Sequence, residues 1–293
     1  MGTVYLNGQY LPIEQATISV LDRGFLFSDA LYEVIAIYRM TAIDTEIHLA
    51  RLNAGLAAIG IHPPLTNEQW QNIFYQLLIK NPHAAHVGSL YIQVTRGSQP
   101  QRHHPIPEIY TPTVLVLCER SNPPDASVLA RGFSAITLDD NRRADCSYKA
   151  CGLLPNILAH QQALNAHAEQ AIYMRNGFAI EGTSSNLMII HQGCLITPPE
   201  QPGMLMGVTR QIFLDIARSN GIPTQEMNIS AEMLLQASEV FLTGSIKEMY
   251  PVVRINDQAI GDEKPGPYWH RLMALYQAHK ASQVQTNPKA SAL

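Results

Sequence analysis

The stretch CSYKACGLLPNILAHQQA, Cys146 to Ala163, places one lysine, Lys149, among small, apolar and amide side chains. A lysine in such surroundings can lay its methylene stem on an apolar surface and keep its ammonium in water. It can also be desolvated, with a lowered pKa that makes the amine an imine-forming nucleophile at neutral pH. The stretch alone does not decide between the two.

Three other segments have the chemistry to hold the phosphate of a phosphorylated aldehyde. In GVTRQIF, Gly207 to Phe213, a helix starts with the backbone N–H groups of Val208 and Thr209 available to a dianion. In LTGSIKE, Gly244 permits close backbone approach while Thr243 and Ser245 offer hydroxyl donors. Arg51, on the helical segment HLARL, brings a full positive charge suited to phosphate. Taken singly, these are also a helix cap, a turn and a solvated arginine. Glu181, in AIEGTSSN, ends an expected strand just before a small-residue turn, where a carboxylate can keep a ring nitrogen protonated or simply cap a strand.

The elements that must position these residues are readable from periodicity. TVYLNGQYLP sets two apolar runs around Asn7-Gly8, the pair that favours a tight hairpin turn. ALYEVIAIYRM alternates as a strand, and IHLARLNAGLAAIGI changes to helical spacing with Leu49, Leu52, Leu56 and Ile59 on one stripe. A second helix is predicted over Asn67 to Ile79, and buried strands over SLYIQVTRG and PTVLVLCER. The Pro-Pro segment RSNPPDAS marks a linker over 120–127, between an N-terminal α+β domain over 1–119 and a C-terminal domain over 128–280. Beyond it, Pro155 opens a helix, and Ala171 to Pro199 reads as a strand meander turning at Asn176-Gly177 and Gln192-Gly193. GVTRQIFLDIARSNGI reads as an amphipathic helix ending near Gly221, and EVFLTGSIKEMYPVV as strand, turn and strand. The polar residues 281–293 read as a flexible tail.

Composition narrows the class of protein. The chain has 293 residues, 46% hydrophobic and 15% charged, enough for two globular domains with ample core. A net charge of -4 offers no basic footprint for nucleic acid, and no apolar run reaches the length of a membrane span, so a cytoplasmic enzyme is expected. Cys118, Cys146, Cys151 and Cys194 lack CxxC spacing and read as reduced thiols. His83 and His86 in HAAH, and the pair His103-His104, lack an acidic or thiol partner nearby, and no metal is expected.

The ordered set HLARL, YIQVTRG, SYKACGLLPNILAHQQA, EGTSSN, GVTRQ and LTGS resembles the fold-type IV pyridoxal-phosphate enzymes over residues 3 to 275. Within that class it is most similar to the D-amino acid aminotransferases. The resemblance implies a two-domain α+β fold with pyridoxal 5'-phosphate at the domain interface, and a homodimer in which the partner borders the site. It implies Lys149 as the Schiff-base lysine, Glu181 as partner of the ring nitrogen, and Arg51, Val208, Thr209, Gly244 and Ser245 as phosphate ligands. Tyr32 matches the family's tyrosine on the substrate side. One segment departs from the pattern. The family's usual arginine, two positions before a histidine, binds the substrate carboxylate; in TRGSQPQRHHPIP that position holds Gln101 if His103 is the matching histidine. Arg102 with His104 restores the spacing after a shift of one residue. The implied reaction is ping-pong transamination of D-amino acids such as D-alanine with 2-oxoglutarate. The alternatives are elimination as in aminodeoxychorismate lyases, a branched-chain or R-amine transaminase on the same fold, and a non-catalytic binding protein.

Overall fold

The computed structural model describes residues 2–286. The described residues divide into two compact units, the first holding 2–122, Tyr148–Gly152 and 280–286, and the second holding Pro123–Ser147 and Leu153–His279. The division between Asn122 and Pro123 lies within the segment 120–127. The sequence boundaries put Lys149 in the C-terminal domain; the contacts of Tyr148–Gly152 assign it instead to the first unit.

The first unit is built on strands β1 (Thr3–Leu6), β2 (Gln9–Pro12), β3 (Ala30–Tyr38), β4 (Thr41–Ala42), β5 (Val87–Thr95) and β6 (Thr113–Arg120), with helices α1 (Arg23–Phe27), α2 (Thr45–Ala58) and α3 (Asn67–Lys80). Its antiparallel sheet runs in the order β2-β1-β6-β5-β3-β4. The β1–β2 hairpin turns where expected, with Asn7 and Gly8 at φ of 48° and 93°, the positive values that a tight hairpin requires. Strand alternation turns Leu31, Glu33, Ile35 and Ile37 to the buried side. There they meet Leu49, Leu52 and Leu56 of α2 and Trp70, Phe74 and Leu77 of α3 in one core. Ile59, expected on the same stripe, is the C-cap of α2 and is half-buried. His83 and His86 are exposed.

Glu33 is the exception in this apolar row. It is buried, and its two carboxylate oxygens take Arg51 Nε at 2.6 Å and Arg51 Nη2 at 2.8 Å. His48 Nδ1 lies 2.8 Å from Oε2 and donates to it, since an ionised carboxylate only accepts. Burial alone would raise the Glu33 carboxyl, but the charge of Arg51 and the bonds from His48 and Arg51 outweigh it and hold the group at about 2.

The second unit contains α4 (Ala126–Arg131), α5 (Leu154–Asn165), α6 (Val208–Ser219), α7 (Ala231–Leu235) and, through His279, most of α8 (Pro267–Thr286). Its strands are β7 (Phe133–Asp139), β8 (Gln170–Arg175), β9 (Phe178–Gly182), β10 (Asn186–His191), β11 (Cys194–Thr197), β12 (Thr224–Glu226), β13 (Ile229–Ser230), β14 (Glu239–Gly244), β15 (Glu248–Ile255) and β16 (Gln258–Ala259). They form a ten-stranded sheet ordered β12-β11-β10-β14-β15-β7-β8-β9-β13, with β16 on β15. A further pairing of β9 with β10 closes six of these strands into a ring. Ile172, Leu187, Ile189, Leu242 and Val252 share one core, while Met188 and Ile190 of β10 pack with α6 and α8 in another. The expected turns at Asn176-Gly177 and Gln192-Gly193 are present, each with positive φ at both residues.

Helix α8 has no counterpart in the sequence reading, although Trp269, Leu272, Tyr276 and Lys280, all buried, recur at helical spacing. It continues through Thr286, so 281–286 are helical rather than part of a tail. Residues 287–293, the rest of that expectation, lie outside the described residues. Among the described residues no helix is long and apolar enough to cross a membrane.

The Glu33 cluster makes a stability prediction. Glu33→Gln removes the charge that Glu33 sets against Arg51 and should cost about 3 kcal/mol at neutral pH, the low end for a broken buried pair because Arg51 is 18% exposed. A carboxyl held below its ordinary 4.5 stabilises the fold above that value and loses the effect as pH falls toward about 2. Urea denaturation of the two proteins should therefore show a gap that narrows between pH 4.5 and 2; a constant gap would contradict the assignment.

Candidate active site

Lys149 owes its place to the main chain around it. The Tyr32 N–H donates to the Lys149 carbonyl at 2.9 Å, Ala150 forms an antiparallel bridge with Leu31, and the Cys151 N–H donates to the Ala30 carbonyl at 3.4 Å. The segment 148–152 thus runs along the first residues of β3. The Lys149 ammonium lies 4.3 Å from the centroid of the Tyr32 ring, within cation–π range, and Tyr32 stacks on Tyr91 at 5.7 Å. Tyr32 and Lys149, paired in the sequence reading only through family resemblance, are direct neighbours. Burial raises both the Tyr91 phenol and the Cys151 thiol, the latter to about 11, so this thiol is not a thiolate at neutral pH.

Arg51 of the same unit was expected to meet phosphate; its Nε and Nη2 are engaged by Glu33. Glu33 and His48 were not singled out from the sequence, because an acid on an alternating strand and a histidine on a helix carry no local signal of burial.

In the second unit, register brings the separate motifs together. Glu181 of β9 is opposite Asn186 of β10, and Asn186 is opposite Thr243 of β14, so EGTSSN and LTGS share one row. Glu181 is buried, with Arg142 Nη1 at 2.5 Å from Oε1, and Asn186 Nδ2 at 3.2 Å and the Leu205 N–H at 3.3 Å from Oε2. Burial pushes this carboxyl up, the charge and hydrogen bond of Arg142 pull it back, and the balance lies at about 7.

Asn186 also ties in the start of α6. A side chain on Gly207, the N-cap, would put its Cβ 1.9 Å from Asn186 Oδ1, so only glycine allows this approach. Gly207 supplies no side-chain cap, and Val208 and Thr209 behind it are buried. The Ser184 carbonyl lies 3.4 Å from where a Cβ on Gly244 would stand, which sets the small-residue turn beside the end of β14. Gly244 and Ser245 are half-buried there.

Two atoms in this region bear on cofactor binding. The hydroxyls of Thr243 and Ser185 are buried and have no hydrogen-bond partner among the described residues. Leaving such groups unsatisfied is costly, and an oxyanion or other polar ligand groups would satisfy them. Together with the uncapped start of α6 and the buried carboxylate, they fit a phosphorylated ring with a basic nitrogen. Arg142 and Asn186 were not assigned roles from the sequence. For Arg142 the only hint was the charged run DDNRRADC, which also reads as a solvated loop.

Arg102, His103 and His104 are exposed on the loop after β5. Arg23 holds that loop by donating to the carbonyls of His103 at 2.6 Å and His104 at 3.1 Å. The Arg102 guanidinium lies 4.9 Å over the Phe27 ring, and the His104 ring centroid is 5.2 Å from that of Phe27. Around them Val20, Phe25, Ile106 and Ile109 are exposed apolar side chains.

Comparison with known proteins identifies the family. The family model for amino-transferase class IV matches residues 30–255. The D-alanine aminotransferase of Bacillus licheniformis is 35% identical over 274 residues, covering 94% of this chain and 95% of its own. The branched-chain amino acid aminotransferase of Escherichia coli superposes with a TM-score of 0.89 at 23% identity, covering 94% of each chain. A hypothetical aminotransferase from Mycobacterium tuberculosis, solved in a PLP-bound form, superposes at 0.83 with 22% identity, covering 96% of this chain and 99% of its own. The chain therefore belongs to the class IV aminotransferases and is a pyridoxal-phosphate-dependent enzyme of fold type IV.

Proposed function

We propose that this aminotransferase acts on D-amino acids such as D-alanine, with 2-oxoglutarate as amino acceptor. The observation that carries the reading is the placement of Lys149, clamped through its carbonyl to Tyr32 N–H with its amine over the Tyr32 ring. The similarity to D-alanine aminotransferases across nearly the whole chain supports the substrate class. When bound, pyridoxal phosphate supplies an aldehyde that condenses with amines and a ring that stores the electron pair left by the α-proton.

The chain's own residues divide the remaining work. Lys149 Nζ would hold the cofactor between turnovers and, as a free amine, would take the α-proton and move it to the former aldehyde carbon, so that the amino group stays with the cofactor. Glu181 accepts the ring N–H, so that its negative charge favours the protonated nitrogen. Arg51, the N–H groups of Val208 and Thr209, the Gly244 backbone and the Ser245 hydroxyl hold the phosphate, with the buried Thr243 hydroxyl as a further donor. Tyr32 orients the substrate beside Lys149. Arg102, with His103 and His104, binds the substrate carboxylate in place of the arginine replaced by Gln101. A second copy of the chain covers the exposed apolar side chains around that loop, forming a homodimer.

Two experiments test the reading. Lys149→Ala should abolish steady transamination of D-alanine and the borohydride-reducible link between cofactor and chain. Peptide mass spectrometry that finds the reduced cofactor on Lys247 would overturn the assignment, and release of pyruvate without any amino acceptor would favour elimination. Arg102→Ala should raise KM for D-alanine about tenfold or more, because a charge-assisted carboxylate contact is worth roughly 1.5 to 3 kcal/mol. Cofactor binding and turnover of carboxylate-free R-amines should be spared. If the variant matches wild type on D-alanine, Arg102 does not touch substrate.

A further inference from the structure

Arg142 stands between two buried carboxylates. Its Nε and Nη2 donate to Asp140 Oδ1 and Oδ2, both at 2.9 Å, and this paired contact directs the remaining Nη1 to Glu181 Oε1 at 2.5 Å. The Gly203 carbonyl takes a further bond from Nη2 at 3.1 Å, and the guanidinium covers the Tyr173 ring at 4.1 Å. The Asp140 side chain is fully buried and also accepts from Arg175 Nη2 at 2.7 Å. The result is an alternating chain, Arg175, Asp140, Arg142, Glu181, whose charges sum to zero. The guanidinium fork has one rigid geometry, so fixing two of its nitrogens on Asp140 fixes the third.

A carboxyl as deeply buried as Glu181 would be neutral at neutral pH without a counter-charge. The groups facing it are Arg142 and, behind it, Asp140 from the segment after β7, Tyr173 from β8, Asn186 from β10 and the Leu205 N–H from the segment before α6. Arg142 is the cation in direct contact; Asn186 and Leu205 contribute dipoles, and Asp140 a like charge.

We propose that Arg142, aimed by Asp140, is a positioning residue that favours the ionised form of Glu181 and orients it for the ring nitrogen of the cofactor. Its service to catalysis rests on the reading of Glu181 given above, whereas its control of the Glu181 charge is independent of that reading. Charge makes opposite demands on the two neighbours. Removing Arg142 withdraws a positive charge and favours the neutral acid. Removing the charge of Asp140, while an asparagine keeps one of the two acceptor oxygens that Arg142 uses, withdraws a negative one and favours the carboxylate. A general loosening of the site would move both variants the same way.

The test uses the cofactor-free chain labelled with ¹³C at glutamate carboxyls, with Glu181 identified as the resonance lost in Glu181→Gln. In the unsubstituted protein that resonance should titrate near about 7. In Arg142→Met the midpoint should rise by roughly 1 to 3 pH units, Arg142→Lys should restore most of the difference, and Asp140→Asn should lower it. An unchanged midpoint in Arg142→Met, a rise in Asp140→Asn, or failure of lysine to rescue would each overturn the proposal. If Arg142→Met does not fold, the direction of the Asp140→Asn shift decides. With pyridoxal phosphate bound, loss of deuterium from α-deuterated D-alanine in ordinary water should require higher pH in Arg142→Met. If Glu181→Gln leaves that exchange rate unchanged, the catalytic reading of Glu181 fails while the titration result still stands or falls separately.

Discussion

Glu181 lies out of reach of water with Arg142 on one oxygen and Asn186 and a backbone N–H on the other. A carboxylate in that position persists only if counter-charge and donors replace the lost hydration. Meeting this demand organises its surroundings. Asn186 must present its amide nitrogen to Glu181, which turns its oxygen toward Gly207 and leaves no room there for a side chain. The start of α6 is thereby brought against the strand row that carries Glu181 and Thr243. One buried charge thus couples the candidate ring-nitrogen partner to the candidate phosphate ligands within the second unit.

The first unit solves a related problem around Glu33, with a different outcome. Arg51 and His48 together hold that carboxyl far below its ordinary value, so it is ionised throughout the physiological range. Glu181 has a single cation in contact and a second acid, Asp140, close behind it, and its balance falls near neutrality. The difference follows from what faces each buried carboxyl: a cation and a histidine donor at Glu33, one cation and a nearby acid at Glu181.

β3 joins structure to chemistry in the first unit. Alternation sends Leu31, Glu33, Ile35 and Ile37 into the core and leaves Tyr32 on the other face. The same strand then offers its Tyr32 N–H to Lys149, so a lysine distant in sequence is held by main-chain bonds rather than by its flexible side chain. The main-chain bonds fix where the side chain starts, and its contact with the Tyr32 ring sets where the amine lies.

The amino-acid order by itself determined the local devices: the Asn7-Gly8 hairpin, the alternation of β3, the leucine stripe of α2 and the glycine before α6. These depend on backbone propensity and side-chain periodicity, which act over a few residues and leave a direct trace in the order of types. Lys149 and Glu181 stood out as candidates because each lies in a short segment of unusual composition, which left their roles open. Tertiary structure decided what the charges mean. DDNRRADC reads equally well as a solvated loop; Arg142 becomes a buried partner of Glu181, 39 residues away, only because β7, β8 and β9 lie side by side. Tyr148–Gly152 joins the first unit for a similar reason, through main-chain bonds to β3 that no local pattern announces. The energy of a charge depends on its access to water and on its nearest counter-charge, and non-local packing sets both.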